Sequence, residues 1–227
     1  MLNLAEELLL LALQDEKGTV LASAADSLPY GLAGALLMEL ALRSRIQFDQ
    51  KNLAAVDLTT IGDDLLDEAL EIIGQSKRNR SPQYWVTGLS SRIKNLQGRL
   101  QDRLVQKGIL KHEEHRVLGI FRTQRYPAED TAVEQSIKDR LRSTVFAGAP
   151  LEPHFAALIS LVSACGLIDE IFSREERKRA RQRIKEITQR ELIGKAVSET
   201  VAGVQAAVIV AIAAAATAVS SSSSNSG

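Results

Sequence analysis

The stretch GLAGALLMELAL, residues 31–42, decides the fold of this chain. Glu39 is the only charged residue within it, and apolar side chains fall on every side when the stretch is wound as a helix. A helix that is apolar all round is buried all round. We therefore predict that residues 31–42 form a central helix that the rest of the chain encloses.

The composition favours helices packed around that centre. The 227 residues are 45% hydrophobic but only 4% aromatic, and leucine and alanine dominate. Such a composition is typical of helices packed on helices and not of a sandwich or a barrel. We predict a mainly α fold: one globular helical domain over residues 1–219 with two or three short β-hairpins, and a disordered serine-rich tail over residues 220–227.

Two parts of the chain repeat the order helix end, short strand, polar turn and short strand, which indicates a hairpin after a helix. The first predicted hairpin has strands at 46–48 and 54–58 around a turn at 49–52. The second has strands at 109–110 and 117–121 around a turn at 111–115. An irregular loop is predicted to follow over residues 122–130.

Between the hairpins we predict an acidic helix over residues 63–74 and one basic helix over residues 85–106. An apolar stripe with helical spacing runs along the whole basic helix, through Leu89, Ile93, Leu96, Leu100 and Leu104. Residues 201–219 are apolar and about long enough to cross a bilayer, but alanine gives little insertion energy. We predict a buried core helix there, with a membrane-embedded helix as the alternative.

Charge is segregated along the chain although the formal net charge is zero. Residues 1–75 carry 4 Lys/Arg and 13 Asp/Glu, whereas residues 76–125 carry 12 Lys/Arg and 3 Asp/Glu. The basic segment also holds the only tryptophan, Trp85, and this combination suggests an anionic partner such as a membrane surface, a phosphorylated head group or a nucleic acid. The alternative is that the two segments pair with each other inside one domain.

The sequence offers no set of residues for catalysis, and we expect no cofactor and no metal. Cys165 lies in an apolar stretch, which predicts a buried thiol and a reducing compartment. The order His-Glu-Glu-His at residues 112–115 departs from the His-Glu-x-x-His zinc motif and falls in a predicted turn. Acidic residues near the start replace the basic region of a signal peptide, so we expect no secretion and a cytoplasmic protein. Because no catalytic set can be assembled from the residues, we expect a protein that is not an enzyme.

Several stretches resemble the Golgi phosphoprotein 3 family: residues 4–11, 15–18 and 31–46, the pair Arg99-Leu100, and residues 105–110. The chain is similar to the prokaryotic members, because it has no long disordered N-terminal extension. The resemblance implies a mostly helical peripheral membrane protein whose basic face binds phosphatidylinositol 4-phosphate. In the Golgi members, the fold also implies an adaptor that retains glycosyltransferases through their cytosolic tails.

The lipid pocket of that family is matched only in part. Ala33 replaces its arginine in the Gly-Leu-x-Gly segment, and the tryptophan before that segment has no counterpart in residues 23–30. The family's basic pair falls on Lys94 and Gln97, and a glutamine can still donate to a phosphate oxygen. The predicted head-group site comprises Lys94, Gln97, Arg92 and Arg99, and the predicted membrane-inserting or interaction loop comprises Phe121, Arg122, Arg125, Tyr126 and Pro127.

The first functional hypothesis is a peripheral protein that binds anionic phospholipid. Two lost charge-assisted bonds, each worth about 1.5–3 kcal/mol, weaken specific recognition of phosphatidylinositol 4-phosphate. General attraction to anionic lipid remains, at about 1 kcal/mol for each cation near the surface. The cations that supply it are Arg78, Arg80, Arg92, Arg99, Arg122 and Arg125.

Two other hypotheses stay open. The chain can be a protein-interaction or oligomerisation adaptor without lipid specificity, with protein clients or a homo-oligomer as partners. It can also bind nucleic acid, because the basic helix and the hairpin at residues 109–121 superficially resemble a winged helix. The apolar stripe on that helix argues against a nucleic-acid partner.

Overall fold

A computed structural model of the chain describes residues 2–49, 51–117, 121–146, 152–188 and 195–222. Within these ranges, side chains are described except at 49, 115–117, 121–123, 188, 195–200 and 216–222. The helices are α1 (Leu4–Leu11), α2 (Leu28–Leu42), α3 (Asp64–Gly74), α4 (Pro82–Arg92), α5 (Leu96–Gln106), α6 (Thr131–Phe146), α7 (Pro153–Ala164), α8 (Ile168–Ile171), α9 (Arg177–Thr188) and α10 (Lys195–Ser222). The strands are β1 (Ile46–Asp49), β2 (Asn52–Ala55), β3 (Glu113–Val117) and β4 (Phe121–Arg125).

The predicted central helix is confirmed as α2, around which α1, α4, α7 and α10 pack. Every residue from 31 to 41 is buried, including the charged Glu39. The Glu39 carboxylate accepts a hydrogen bond from the Leu4 backbone N–H at 3.1 Å and one from Arg43 Nε at 3.0 Å. The only charge in the central helix therefore satisfies a free amide at the start of α1, where helices have unpaired N–H groups.

Helix α10 lies against α2 along one of its sides. A Cβ atom at Gly34 would stand 2.3 Å from Val208 Cγ2, so the two helices approach closely only because residue 34 has no side chain. Val204 and Val208 are buried, whereas Ile209 is 49% exposed. None of the helices in the described ranges combines the length and the apolar character that a membrane-spanning helix needs. Residues 223–227 of the predicted tail lie outside the described residues.

The first predicted hairpin is confirmed, with β1 and β2 antiparallel and Ile46 opposite Ala55. Its second strand is shorter and earlier than predicted, since β2 is Asn52–Ala55 and not residues 54–58. The second hairpin lies further along the chain than predicted, because β3 and β4 pair with Glu113 opposite Arg125. The apolar residues Ile109 and Leu110 instead donate their N–H groups to the Leu104 carbonyl and end helix α5. The predicted turn at 111–115 therefore ends in a strand, and β4 takes up the first part of the predicted loop at 122–130.

The single basic helix predicted over residues 85–106 is wrong. Helix α4 ends at Arg92 and α5 begins at Leu96, with Asn95 between them in the left-handed region at φ +51°. Asparagine adopts that conformation more readily than most residues. All five leucine and isoleucine residues of the apolar stripe are nevertheless buried, so the spacing predicted burial correctly and concealed the break.

Candidate functional site

The acidic and basic segments meet where α3 begins beside α5. Arg103 donates two hydrogen bonds to the Asp63 carboxylate, at 3.1 and 2.9 Å, and also contacts Asp64. Arg99 pairs with Asp64 at 2.7 Å and with Glu68. Pairing inside the domain, the alternative raised by the charge pattern, therefore holds for α5, and Arg99 is not a free cation.

Trp85 was expected to be an amphipathic aromatic facing an anionic partner, and this is wrong. The side chain is only 1% exposed, and its Nε1 donates to the Leu53 backbone carbonyl at 3.1 Å. A buried indole needs such an acceptor for its N–H. Trp85 therefore fastens α4 to strand β2, and the exposed aromatic of this helix is its neighbour Tyr84, at 36%.

Two arginines contact the ring of Tyr84. The Cζ atoms of Arg80 and Arg92 lie 4.7 and 5.3 Å from the ring centroid, within the range of a cation–π contact. Arg92 Nη2 also donates to the Tyr84 hydroxyl at 2.6 Å. This hydrogen bond, together with the charges of Arg92 and Arg80, holds the pKa of the Tyr84 phenol below its usual value. Two guanidinium groups therefore contact the same aromatic ring.

These two arginines keep their charge unpaired. Within the described part of the chain, neither Arg80 nor Arg92 has a carboxylate partner, and the buried Nε of Arg80 has no hydrogen-bond partner. Lys77 and Arg78 precede the cluster in the chain, Lys94 follows it, and all three are exposed. Three of the six residues, Arg80, Tyr84 and Arg92, are in contact, and the other three are exposed cations next to them in the chain. We call the six together the cationic face: Lys77, Arg78, Arg80, Tyr84, Arg92 and Lys94.

The predicted head-group residues fall into different surroundings. Arg92 belongs to the cationic face, and Lys94 is exposed in the turn between α4 and α5. Gln97 is half-buried in the first turn of α5, and Arg99 contacts the acids of α3. Ala33 is fully buried in the central helix. Arg92 and Arg99 therefore have different partners. The buried Ala33 contributes no positive charge to a head-group site.

Backbone hydrogen bonds fix the second half of the predicted membrane-inserting loop, at Tyr126 and Pro127. Tyr126 is only 6% exposed, and its N–H donates to the Gly18 carbonyl at 3.1 Å. The Pro127 carbonyl accepts from the Lys111 N–H at 2.9 Å, and Arg125 is half-buried at the end of β4. The side chains of Phe121 and Arg122 lie outside the described residues. Tyr126 would have to leave its packed position to enter a bilayer.

Sequence reasoning missed the role of Tyr84. The available signal is the spacing of Tyr84 and Arg92, which differ by eight residues and lie on one side of α4. Arg80 precedes this helix and bridges to Leu53, so helical spacing does not predict its place beside Tyr84. The sequence-based prediction assigned the exposed aromatic to the neighbouring Trp85 instead.

Two side chains that catalysis or metal binding could use, Cys165 and His154, are buried or paired. Burial raises the pKa of the Cys165 thiol to about 12, so it stays protonated. His154 lies 2.6 Å from a Glu7 oxygen, in a pair between α7 and α1. No three His, Cys, Asp or Glu side chains among those described are arranged to hold a metal ion.

Comparison with known proteins links the chain to one family. A family model described as Golgi phosphoprotein 3 (GPP34) matches residues 4–204. The vacuolar protein sorting-associated protein 74 of Schizosaccharomyces pombe is 33% identical over 165 residues, which are 63% of this chain and 48% of that protein. The protein of the same name from Eremothecium gossypii is 32% identical over 164 residues, 63% of this chain and 49% of that protein. The chain spans about half the length of the curated relatives it matches.

Proposed function

The chain belongs to the Golgi phosphoprotein 3 family, and from this premise we propose that it is a non-enzymatic peripheral membrane protein. Its cationic face docks on anionic phospholipid. The observation that carries the proposal is that Arg80 and Arg92 both contact the ring of the exposed Tyr84 and have no acid partner among the described residues. The names of the family and of the relatives, Golgi and vacuolar protein sorting, support a membrane of the trafficking system or its counterpart.

The chemistry of the cationic face suits a phosphate-rich surface. An arginine carries five N–H donors in a planar fork that matches phosphate oxygens, and Arg92 uses one of its nitrogens on Tyr84. Each cation near an anionic membrane contributes about 1 kcal/mol. Tyrosine is enriched at membrane interfaces because its ring is apolar and its hydroxyl is polar. Five cations and one tyrosine can therefore hold the protein at the head-group level.

We propose that charge, more than one specific head group, drives this docking. In place of the family pocket, Lys94 keeps a cation and Gln97 keeps a donor, but Ala33 is neutral and buried. Phosphatidylinositol 4-phosphate then binds as one anionic lipid among others. Docking on the cytoplasmic side of a membrane follows, since negative lipids concentrate in that leaflet.

Vesicle flotation tests the proposal. The protein is mixed with phosphatidylcholine vesicles alone, or with phosphatidylserine or phosphatidylinositol 4-phosphate added to equal surface charge. We expect binding to both charged vesicles and its loss as salt rises from 0.1 to 1 M, where the screening length falls from about 10 to about 3 Å. Equal binding to neutral vesicles, or binding that ignores salt, would refute docking by charge. A large excess for phosphatidylinositol 4-phosphate would refute the absence of specificity.

The same experiment separates the alternatives. A protein-interaction or oligomerisation adaptor without lipid specificity would stay with the vesicle-free fraction and run as an assembly in a size measurement. The nucleic-acid hypothesis relied on the basic residues of the helix now divided into α4 and α5. In α5, Arg99 and Arg103 face carboxylates of α3, so this helix offers no free arginine pair to a phosphate backbone. A salt-dependent shift with duplex DNA would bring that hypothesis back.

A further inference from the structure

An apolar groove of about 640 Å³ opens beside the first residues of α1, and it shares no residue with the cationic face. Leu2 lies at one side, Ile109 follows α5, Val133 and Ile137 come from α6, and Phe155 comes from α7. Small-molecule sites have volumes of about 300–1,000 Å³ and walls that are mostly apolar. The groove thus has the size and the lining of a ligand site.

The charges at this groove leave a positive excess. Glu7, the acid among its described lining residues, is 2.6 Å from His154, which neutralises it when protonated. Burial lowers the pKa of His154, but the hydrogen bond to Glu7 and the charges of Glu7 and Glu39 outweigh it, so the pKa is raised overall. Lys107 also lines the groove, and its ammonium is 2.6 Å from Glu6. In each of these two pairs, the charge that lines the groove is balanced by its partner.

Arg140 supplies the unmatched charge. Its Cζ lies 4.5 Å from the ring centroid of Phe155, directly at the apolar wall. Its carboxylate contact, with Glu152, is 3.9 Å long between two exposed side chains and is therefore weak. An apolar groove with one available guanidinium at its edge complements a molecule that is apolar along its length and negative at one end.

We propose that this groove binds a single-chain anionic amphiphile, with the alkyl chain against Val133, Ile137 and Phe155 and the head group on Arg140. A fatty carboxylate is the occupant that the charge and the size favour. The proposal does not depend on docking through the cationic face, because the two sites have no residue in common.

Isothermal titration of the full chain with octanoate, decanoate and dodecanoate, each below its micelle concentration, tests the site. Each added methylene should tighten binding about fourfold until the groove is full. Dodecyl phosphate distinguishes a general anionic head group from a carboxylate, and both should bind at least tenfold more tightly than dodecyltrimethylammonium. Affinity that does not depend on chain length, or equal binding of the cationic amphiphile, would overturn the proposal.

Two variants assign the binding to this groove. Ser136→Trp places a bulky ring at an exposed lining position and should abolish binding, with Ala132→Phe as a second filling variant if the first unfolds. Arg140→Gln should weaken dodecanoate about tenfold and leave decanol binding unchanged. Arg92→Gln, from the cationic face, is the matched control and should leave dodecanoate affinity intact. If Ser136→Trp and Ala132→Phe both fold and still bind dodecanoate, the site is elsewhere.

Vesicle flotation of the same variants keeps the two proposals apart. Ser136→Trp should float with anionic vesicles as the wild type does, whereas Arg92→Gln should bind those vesicles about fivefold more weakly, from about 1 kcal/mol for one cation, and keep its dodecanoate affinity. Loss of vesicle binding by Ser136→Trp would mean that lipid enters through the groove and would contradict separate sites.

Discussion

Asp63 and Arg103 form a bidentate ion pair at the point where three helices meet. The same Asp63 carboxylate accepts the backbone N–H groups of Leu65 and Leu66 at 3.1 and 3.2 Å, and so caps α3. It also accepts from Asn3 Nδ2 at 3.1 Å, at the start of α1. One carboxylate therefore fixes α1, α3 and α5 together, and in doing so it neutralises a cation that the charge pattern alone offers to a membrane.

Replacing Asp63 should weaken the fold without changing the cationic face. Asp63→Ala removes a helix cap and leaves Arg103, whose side chain is only 17% exposed, without its main partner. We expect a loss on the order of 2–3 kcal/mol in the free energy of unfolding, measured by urea titration. Asp64→Ala is the matched control, because that side chain is 66% exposed and should cost less than about 1 kcal/mol. Equal losses for the two variants would contradict this role of Asp63.

The His154–Glu7 pair should make stability depend on pH. The pKa of His154 in the folded protein is raised, so the stabilisation is fully present below the unfolded pKa of about 6.5 and is lost as pH rises through the folded pKa. The difference in unfolding free energy between the wild type and His154→Gln should therefore shrink between pH 6 and pH 9. The decrease should equal the free energy that the protonated His154–Glu7 pair contributes to folding. A difference that stays constant over that range would mean that the histidine does not gain a proton on folding.

Glu134 should oppose stability at high pH. Burial raises its pKa to about 7, and the hydrogen bond from Lys138, at 2.5 Å, only partly compensates. A carboxyl whose folded pKa is raised holds its proton more tightly in the folded state, so stability falls as pH rises from about 4.5 to 7. Glu134→Gln should gain on the wild type across that window by on the order of 3 kcal/mol, in urea unfolding at pH 4.5 and pH 8. No gain at pH 8 would show that Glu134 is readily ionised in place.

Gly18 should tolerate no side chain. Its φ of +59° is left-handed, and a Cβ there would stand 2.0 Å from the Tyr126 carbonyl carbon. Gly18→Ala should therefore lose the backbone hydrogen bond to Tyr126. It should lower the free energy of unfolding, measured by urea titration, by more than the strain of about 1–2 kcal/mol that φ alone imposes. Gly108→Ala is the control, since φ is +69° and the space around it is open. Equal free energies of unfolding for the two variants would contradict the close contact.

The sequence predicts the centre of this fold better than its edges. The central helix could be predicted from residues 31–42, because a helix of these residues has no polar side that solvent could cover. The break at Asn95 could not be predicted from the stripe, because Leu89, Ile93 and Leu96 keep helical spacing across it. The second hairpin was misplaced because Ile109 and Leu110 are apolar for packing at the end of α5, and short apolar pairs do not distinguish packing from a strand.

The candidate site shows the same limit in its electrostatics. The sequence gives the sign of each segment, but which cations stay free depends on which carboxylates the fold brings near. Arg99 and Arg92 look equivalent in the sequence, yet α5 places Arg99 beside Glu68 and α4 places Arg92 over Tyr84. The two arginines lie on different helices because the chain breaks at Asn95, and the spacing of the apolar stripe could not reveal that break.

The most direct test of the cationic face compares two double variants with the same loss of charge. Arg80→Gln with Arg92→Gln removes the pair around Tyr84, and Lys178→Gln with Arg179→Gln removes two exposed cations of α9. Partition onto phosphatidylserine vesicles is measured for both, after circular dichroism shows that each is folded. We predict that the first double variant binds roughly thirtyfold more weakly than the wild type, from about 1 kcal/mol for each cation, and that the second stays within about twofold. Equal losses in both, or wild-type binding by the first, would contradict the account.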